Sequence, residues 1–188
     1  MFLTSVCCGE KMEQKDKQIL LSMARNAIKK QLGLTFEKII PTSMELKKKN
    51  GCFVTLKENS NLRGCIGFMT GFMPLYETIP MLAIEAAFKD PRFDCLKIEE
   101  MESITIEISI LSPLKKIESL KEFTLGKDGI IISQGFHKAV FLPQVANETG
   151  WNKKEFLEAL CRKANLDINA YKSPLSHFEI FTAEVFGE

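Results

Sequence analysis

The sequence has no surplus of either charge: 25 Lys and Arg stand against 24 Asp and Glu, a formal net charge of +1 over 188 residues. A nucleic-acid partner is ordinarily met by a basic excess that neutralises phosphates, so nucleic acid is not expected as the main partner. Lys47-Lys48-Lys49 is the one basic run, and the turn dipeptide Asn50-Gly51 after it reads as a solvated tip. No apolar run approaches the roughly eighteen residues of a membrane-spanning helix, and no membrane partner is expected. The first residues, Met1 to Cys8, lack the basic start and long apolar stretch of a signal peptide, so a cytoplasmic location is expected.

Metal-ligand patterns are also missing. None of the six cysteines (Cys7, Cys8, Cys52, Cys65, Cys95 and Cys161) forms a C-x-x-C pair, and the two histidines, His137 and His177, lie far from any of them in sequence. Free thiols, no metal site and no resident cofactor are the expectation. What the chain does have is bulk: 45% hydrophobic residues and a length that can bury a core without disulfides or metals.

Apolar periodicity marks the elements. Ile19, Leu20, Met23, Ala24, Ala27 and Ile28 recur at helical spacing from about Gln14, with Gly33 as a stop. Residues 1–13 are expected to form a flexible tail ahead of one domain over 14–188. Gly51 to Leu56 and Leu62 to Gly67 read as a hairpin around Glu58-Asn59-Ser60-Asn61. Leu75 to Phe88 reads as a helix in which Pro80 either falls in the first turn or makes a kink. Ile104, Ile106, Ile108 and Ile110 alternate with polar residues, as in a half-buried strand. Two more strands, Gly129 to Ser133 and Ala139 to Leu142, flank a Gln134-Gly135 turn, and Phe178 to Phe186 favours extension. Asn152 and Glu155 form a capping box for a helix that puts Phe156, Leu157, Leu160 and Cys161 on one face. Mixed rather than alternating elements predict an α+β fold with a mostly antiparallel sheet and packed helices.

If Leu62 to Gly67 is a regular strand, Arg63, Cys65 and Gly67 share one face, while Leu62 and Ile66 enter the core. A guanidinium beside a thiol favours thiolate. On one reading Cys65 is then a nucleophile or ligand contact, Arg63 anchors an anion, and Gly64 and Gly67 admit a close approach. On the other, Cys65 is a packed thiol and the glycines mark a bulge. Asp90 and Arg92 either line a cleft or fix their own loop. Glu107, opposite the isoleucine row, is a solvated residue, a general base, or a partner of Arg63 or Arg92.

Six segments resemble, in order, the AMMECR-type domain family (AmmeMemoRadiSam system protein A). They are Leu62-Arg63-Gly64-Cys65-Ile66-Gly67; Ala86-Ala87-Phe88-Lys89-Asp90-Pro91-Arg92-Phe93; Ile106 to Ser109 with Leu111-Ser112-Pro113; Asp128-Gly129-Ile130; Phe141 to Val145; and Phe156 to Ala164. Tyr171 stands where similar sequences often have tryptophan. The resemblance implies two unequal lobes with a cleft near the hexapeptide. It also implies partnership with a Memo-like protein and a radical SAM enzyme, whose C-x-x-x-C-x-x-C cluster motif this chain lacks. Two functions are compatible with that resemblance: a binding or adaptor component of such a system, or an enzyme or enzyme subunit acting on a small anionic substrate around Arg63 and Cys65.

Overall fold

The computed structural model describes residues 11–188; most of the expected tail, with Cys7 and Cys8, lies outside the described residues. Met12, near its end, is buried, and its N–H donates to the Glu184 carboxylate at 3.1 Å. Among the described residues are four α-helices and two four-stranded antiparallel sheets, the expected α+β arrangement. The chain divides into two compact units: one runs to Ile110 and takes up Glu184–Glu188, and the other is Leu111–Ala183.

In the first unit, helix α1 (Gln14–Gln31) buries Leu20, Ala24 and Ile28 of the stripe that its periodicity marked, together with Leu21, while Ile19, Met23 and Ala27 are partly buried. Strands β1 (Cys52–Glu58) and β2 (Asn61–Phe68) form the hairpin. Asn59 and Ser60, both at positive φ (49° and 66°), make the two-residue turn whose twist suits a tight antiparallel pair. Helix α2 (Leu75–Phe88) starts at Leu75, so Pro80 lies inside it, beyond the first turn. Strand β3 (Ile104–Leu111) pairs antiparallel with β1 and buries Ile104, Ile106, Ile108 and Ile110. The sheet order is β2-β1-β3-β8, where β8 is Ala183–Gly187, and β2 is one edge. The helices and the inward residues Val54, Leu56, Ile106 and Ile108 make one core.

In the second unit the sheet order is β4-β7-β5-β6. Its strands are β4 (Lys115–Ile117), β5 (Gly129–Gln134), β6 (His137–Phe141) and β7 (His177–Phe181). Helix α3 (Gln144–Thr149) precedes α4 (Lys153–Lys163). The capping box of α4 forms as expected: Lys154 and Glu155 N–H groups donate to Asn152 Oδ1 at 3.0 and 3.1 Å, and Asn152 N–H donates to Glu155 Oε2 at 2.9 Å. Phe156, Leu160 and Cys161 pack with Ile130, Ile132 and Ala139.

One sequence expectation holds with a division and another needs correction. The extended stretch Phe178 to Phe186 is divided into two strands at Thr182, whose N–H donates to Ser112 Oγ and whose carbonyl accepts from Ser112 N–H, both at 2.9 Å. Leu62 does not enter the core; it is 43% exposed. The pairing shows why. Leu56 opposes Gly64 and Lys57 opposes Leu62, so Arg63 is an extra residue on β2, a β-bulge. Past the bulge, alternation reverses and Leu62 turns outward.

Candidate functional site

The hexapeptide sits on the edge strand, and its two glycines hold it against its neighbours. At Gly64 a Cβ would lie 2.2 Å from the Ala86 carbonyl oxygen, so only glycine lets the last turn of α2 come this close to β2. At Gly67 a Cβ would lie 2.3 Å from the Phe53 ring. Both glycines are therefore filled by the protein itself. Because α2 ends against β2, the loop after it, Asp90-Pro91-Arg92-Phe93, is delivered to the edge of that strand.

There Asp90 and Arg92 take hold of the Cys65 peptide. Cys65 N–H donates to Asp90 Oδ2 at 2.9 Å, and Arg92 Nη2 donates to the Cys65 carbonyl at 3.2 Å. The Asp90 side chain is 1% exposed and receives three further hydrogen bonds from Arg92: from N–H at 3.1 Å, Nε at 2.9 Å and Nη2 at 2.6 Å. The Arg92 hydrogen bond, helped by the Cys65 amide and opposed by burial, holds this carboxyl far below the usual aspartate range. Fixing of the loop is thus accomplished by both residues, and the same bonds tie the loop to β2.

Arg63 is engaged elsewhere. Its Nε donates to Glu100 Oε1 at 2.6 Å, and its Nη2 donates to Glu100 Oε2 at 3.3 Å and to the Asp94 carbonyl at 2.9 Å. Its side chain is 12% exposed, and Nη1 is buried with no hydrogen-bond partner. The Arg63 bond likewise lowers the Glu100 pKa, against the effect of burial. Phe93 lies between two cations, its ring centre 5.9 Å from the Arg63 guanidinium carbon and 5.5 Å from that of Arg92.

Cys65 is half-buried, and the Thr55 hydroxyl donates to its sulfur at 3.2 Å. Thr55 lies opposite Cys65 on one side and Glu107 on the other. Glu107 pairs with Lys57 at 2.9 Å, not with either arginine. The cation that reaches Cys65 is Arg92, through the Cys65 carbonyl, and its side chain is 53% exposed. The bulge gives Arg63 to Glu100, and the loop supplies Arg92 in its place.

The remaining thiols differ. Burial pushes Cys52 up to about 12 and raises Cys161, while Cys95 is exposed. His137 begins β6, its Nδ1 3.1 Å from the Ala164 carbonyl, and His177 begins β7; neither lies on the sheet of Cys65. Among the described residues no three His, Cys, Asp or Glu side chains gather as a metal site would require. No described helix is long and apolar enough to cross a membrane.

Sequence reasoning missed Glu100, Phe93, Lys57 and Thr55. Glu100 lies 37 residues from Arg63, and nothing in its neighbourhood marks it. Thr55 could have been found by counting back from the hairpin turn, but only by a count that knew of the bulge.

An AMMECR1 family model matches residues 21–186, and the chain belongs to that family. A protein of Methanopyrus kandleri is 41% identical, with 96% of this chain and 92% of that one covered. One from Thermococcus gammatolerans is 39% identical, with 91% and 89% covered. The crystal structure of an uncharacterized protein from Pyrococcus horikoshii superposes with a TM-score of 0.85 at 37% identity, covering 95% of this chain and 94% of that one.

Proposed function

We propose that the chain is a binding or adaptor component, working in the cytoplasm with a Memo-like protein and a radical SAM enzyme. One observation carries this reading: the ionisable groups around the hexapeptide are engaged with one another. Arg63 is held by Glu100, Asp90 by Arg92, and Glu107 by Lys57. The side chain that meets the Cys65 sulfur is the Thr55 hydroxyl, at 3.2 Å, a group that does not titrate near neutral pH. General acid–base catalysis needs a group within reach whose proton is free to move near neutral pH. Both histidines of the chain belong to the other sheet. An arrangement of closed ion pairs around a fixed backbone suits a rigid binding surface better than a reaction centre.

A second reading, an enzyme or enzyme subunit acting on a small anionic substrate, draws on the half-exposed guanidinium of Arg92 near Cys65. In that reading Cys65 is the nucleophile, and Arg92, rather than Arg63, meets the anion.

The test pairs two measurements on the full chain. Calorimetric titration against the Memo-like protein and the radical SAM enzyme of the same genome should show a complex with at least one, unchanged in Cys65→Ser. Iodoacetamide should label Cys65 no faster than exposed Cys95. No complex with either protein, together with a Cys65 that labels far faster than Cys95, would discard the adaptor reading in favour of the enzyme.

A further inference from the structure

Strand β2 is an edge strand, and an edge presents unpaired backbone groups to any chain able to add a strand. In an antiparallel ladder the N–H and C=O of one residue point the same way. At Cys65 both point off the edge, because the N–H goes to Asp90 and the carbonyl accepts from Arg92. A carboxylate acceptor and a guanidinium donor thus occupy the two positions that the backbone of a further strand would fill. The acceptor is buried and carries a full charge held by Arg92; the donor reaches in from a side chain that is half in water.

The supports of this contact are independent of it. Gly64 seats the end of α2 on β2. The loop is closed by Phe93 N–H to the Asp90 carbonyl at 3.1 Å and by Leu96 N–H to the Ala87 carbonyl at 2.8 Å. Losing the two side-chain contacts would leave the strand in place and its edge open. Gly67, two residues on, points its backbone groups the same way as Cys65, so an open edge would offer two successive residues for pairing.

We propose that Asp90 and Arg92 form an edge latch: they take the place of a neighbouring strand at Cys65, and when they are removed β2 pairs with β2 of a second copy of this chain. The latch makes the hexapeptide and the loop after α2 two halves of one device that keeps the sheet closed.

The experiment uses the full chain as wild type, as Asp90→Ala, and as the double variant Asp90→Ala with Arg92→Ala, since alanine can neither accept from the Cys65 amide nor donate to its carbonyl. Mass in solution is followed over a concentration series, with hydrogen exchange at the Cys65 and Gly67 amides. Wild type should keep the mass of one chain, 21.3 kDa. The double variant should double in mass as concentration rises, and the doubled species should protect both amides. A folded double variant that keeps a single-chain mass overturns the proposal. So does a doubled species that leaves the two amides unprotected, since it is joined elsewhere, or a wild type that doubles with the Cys65 latch intact. If the double variant does not fold, Asp90→Ala alone decides, because it frees the Cys65 amide and leaves Arg92, half in water, with no carboxylate to hold it at the edge: doubling with protected amides supports the latch, and a single-chain mass throughout overturns it.

Discussion

Two arginine–carboxylate pairs flank Cys65, and they are built in opposite senses. In the pair at the bulge the cation is enclosed: the Arg63 side chain is 12% exposed and its partner Glu100 22%. In the pair at the loop the anion is enclosed: Asp90 is 1% exposed, while Arg92 is 53% exposed. The distances are alike, both 2.6 Å at the shortest. The difference lies in which partner could survive alone. Arg92 without Asp90 still meets water, but Asp90 without Arg92 is a buried charge left with only backbone donors. An ion pair is therefore poorly described by its length; the burial of each member decides what its loss costs.

The largest expected effect is at the enclosed anion. Asp90→Ala removes the acceptor of the Cys65 amide and the anchor of the loop, and should cost about 3 kcal/mol in chemical denaturation, the lower part of the range for breaking a buried pair because Arg92 is half in water. A cost below that of Arg63→Ala would break the comparison. Acid sharpens it. The folded Asp90 pKa lies below its unfolded value, so its contribution is fully present above about pH 4, the ordinary aspartate range, and is lost as pH falls toward the folded value. Unfolding free energy measured from pH 6 downward should therefore fall below about pH 4, and fall less steeply in Asp90→Asn. Equal slopes would mean that Asp90 is not the group responsible.

Next comes Arg63→Ala, which strands Glu100 and the Asp94 carbonyl and should cost about 2 kcal/mol, the scale of charge-assisted hydrogen bonds. If Arg63 were instead an anion anchor facing solvent, denaturation would barely register its loss. Smallest is Leu62→Ala: an exposed side chain beyond the bulge should change stability by no more than about 0.5 kcal/mol. A loss of 2 kcal/mol or more would place Leu62 in the core and remove the bulge.

The regular parts of the fold were legible because period and packing agree in them. The isoleucines of β3, the stripe of α1 and the capping box of α4 each state a local rule that the tertiary structure keeps. The hexapeptide was misread at one point, Leu62, because strand alternation holds only while no residue is inserted, and a bulge has no reliable mark in a single sequence. The long C-terminal run hid its break for a related reason. Thr182 favours extension as its neighbours do, and only its two bonds with Ser112, 70 residues away, part β7 from β8. At the site, the residue types were readable but their partners were not. Arg63 with Glu100 and Glu107 with Lys57 are 37 and 50 residues apart, and folding alone chooses between Glu100 and Glu107 for Arg63.

The buried thiols give the chain a clock in each half. Cys52 lies in the core of the first unit and Cys161 in that of the second, and both are closed to reagents while their surroundings stay packed. With Cys7, Cys8, Cys65 and Cys95 replaced by serine, a thiol probe under mild denaturant can react only when one core opens. Equal labelling rates for Cys52 and Cys161 at every denaturant concentration would mean that the halves open together; unequal rates would measure separately how often each half opens, without any added label.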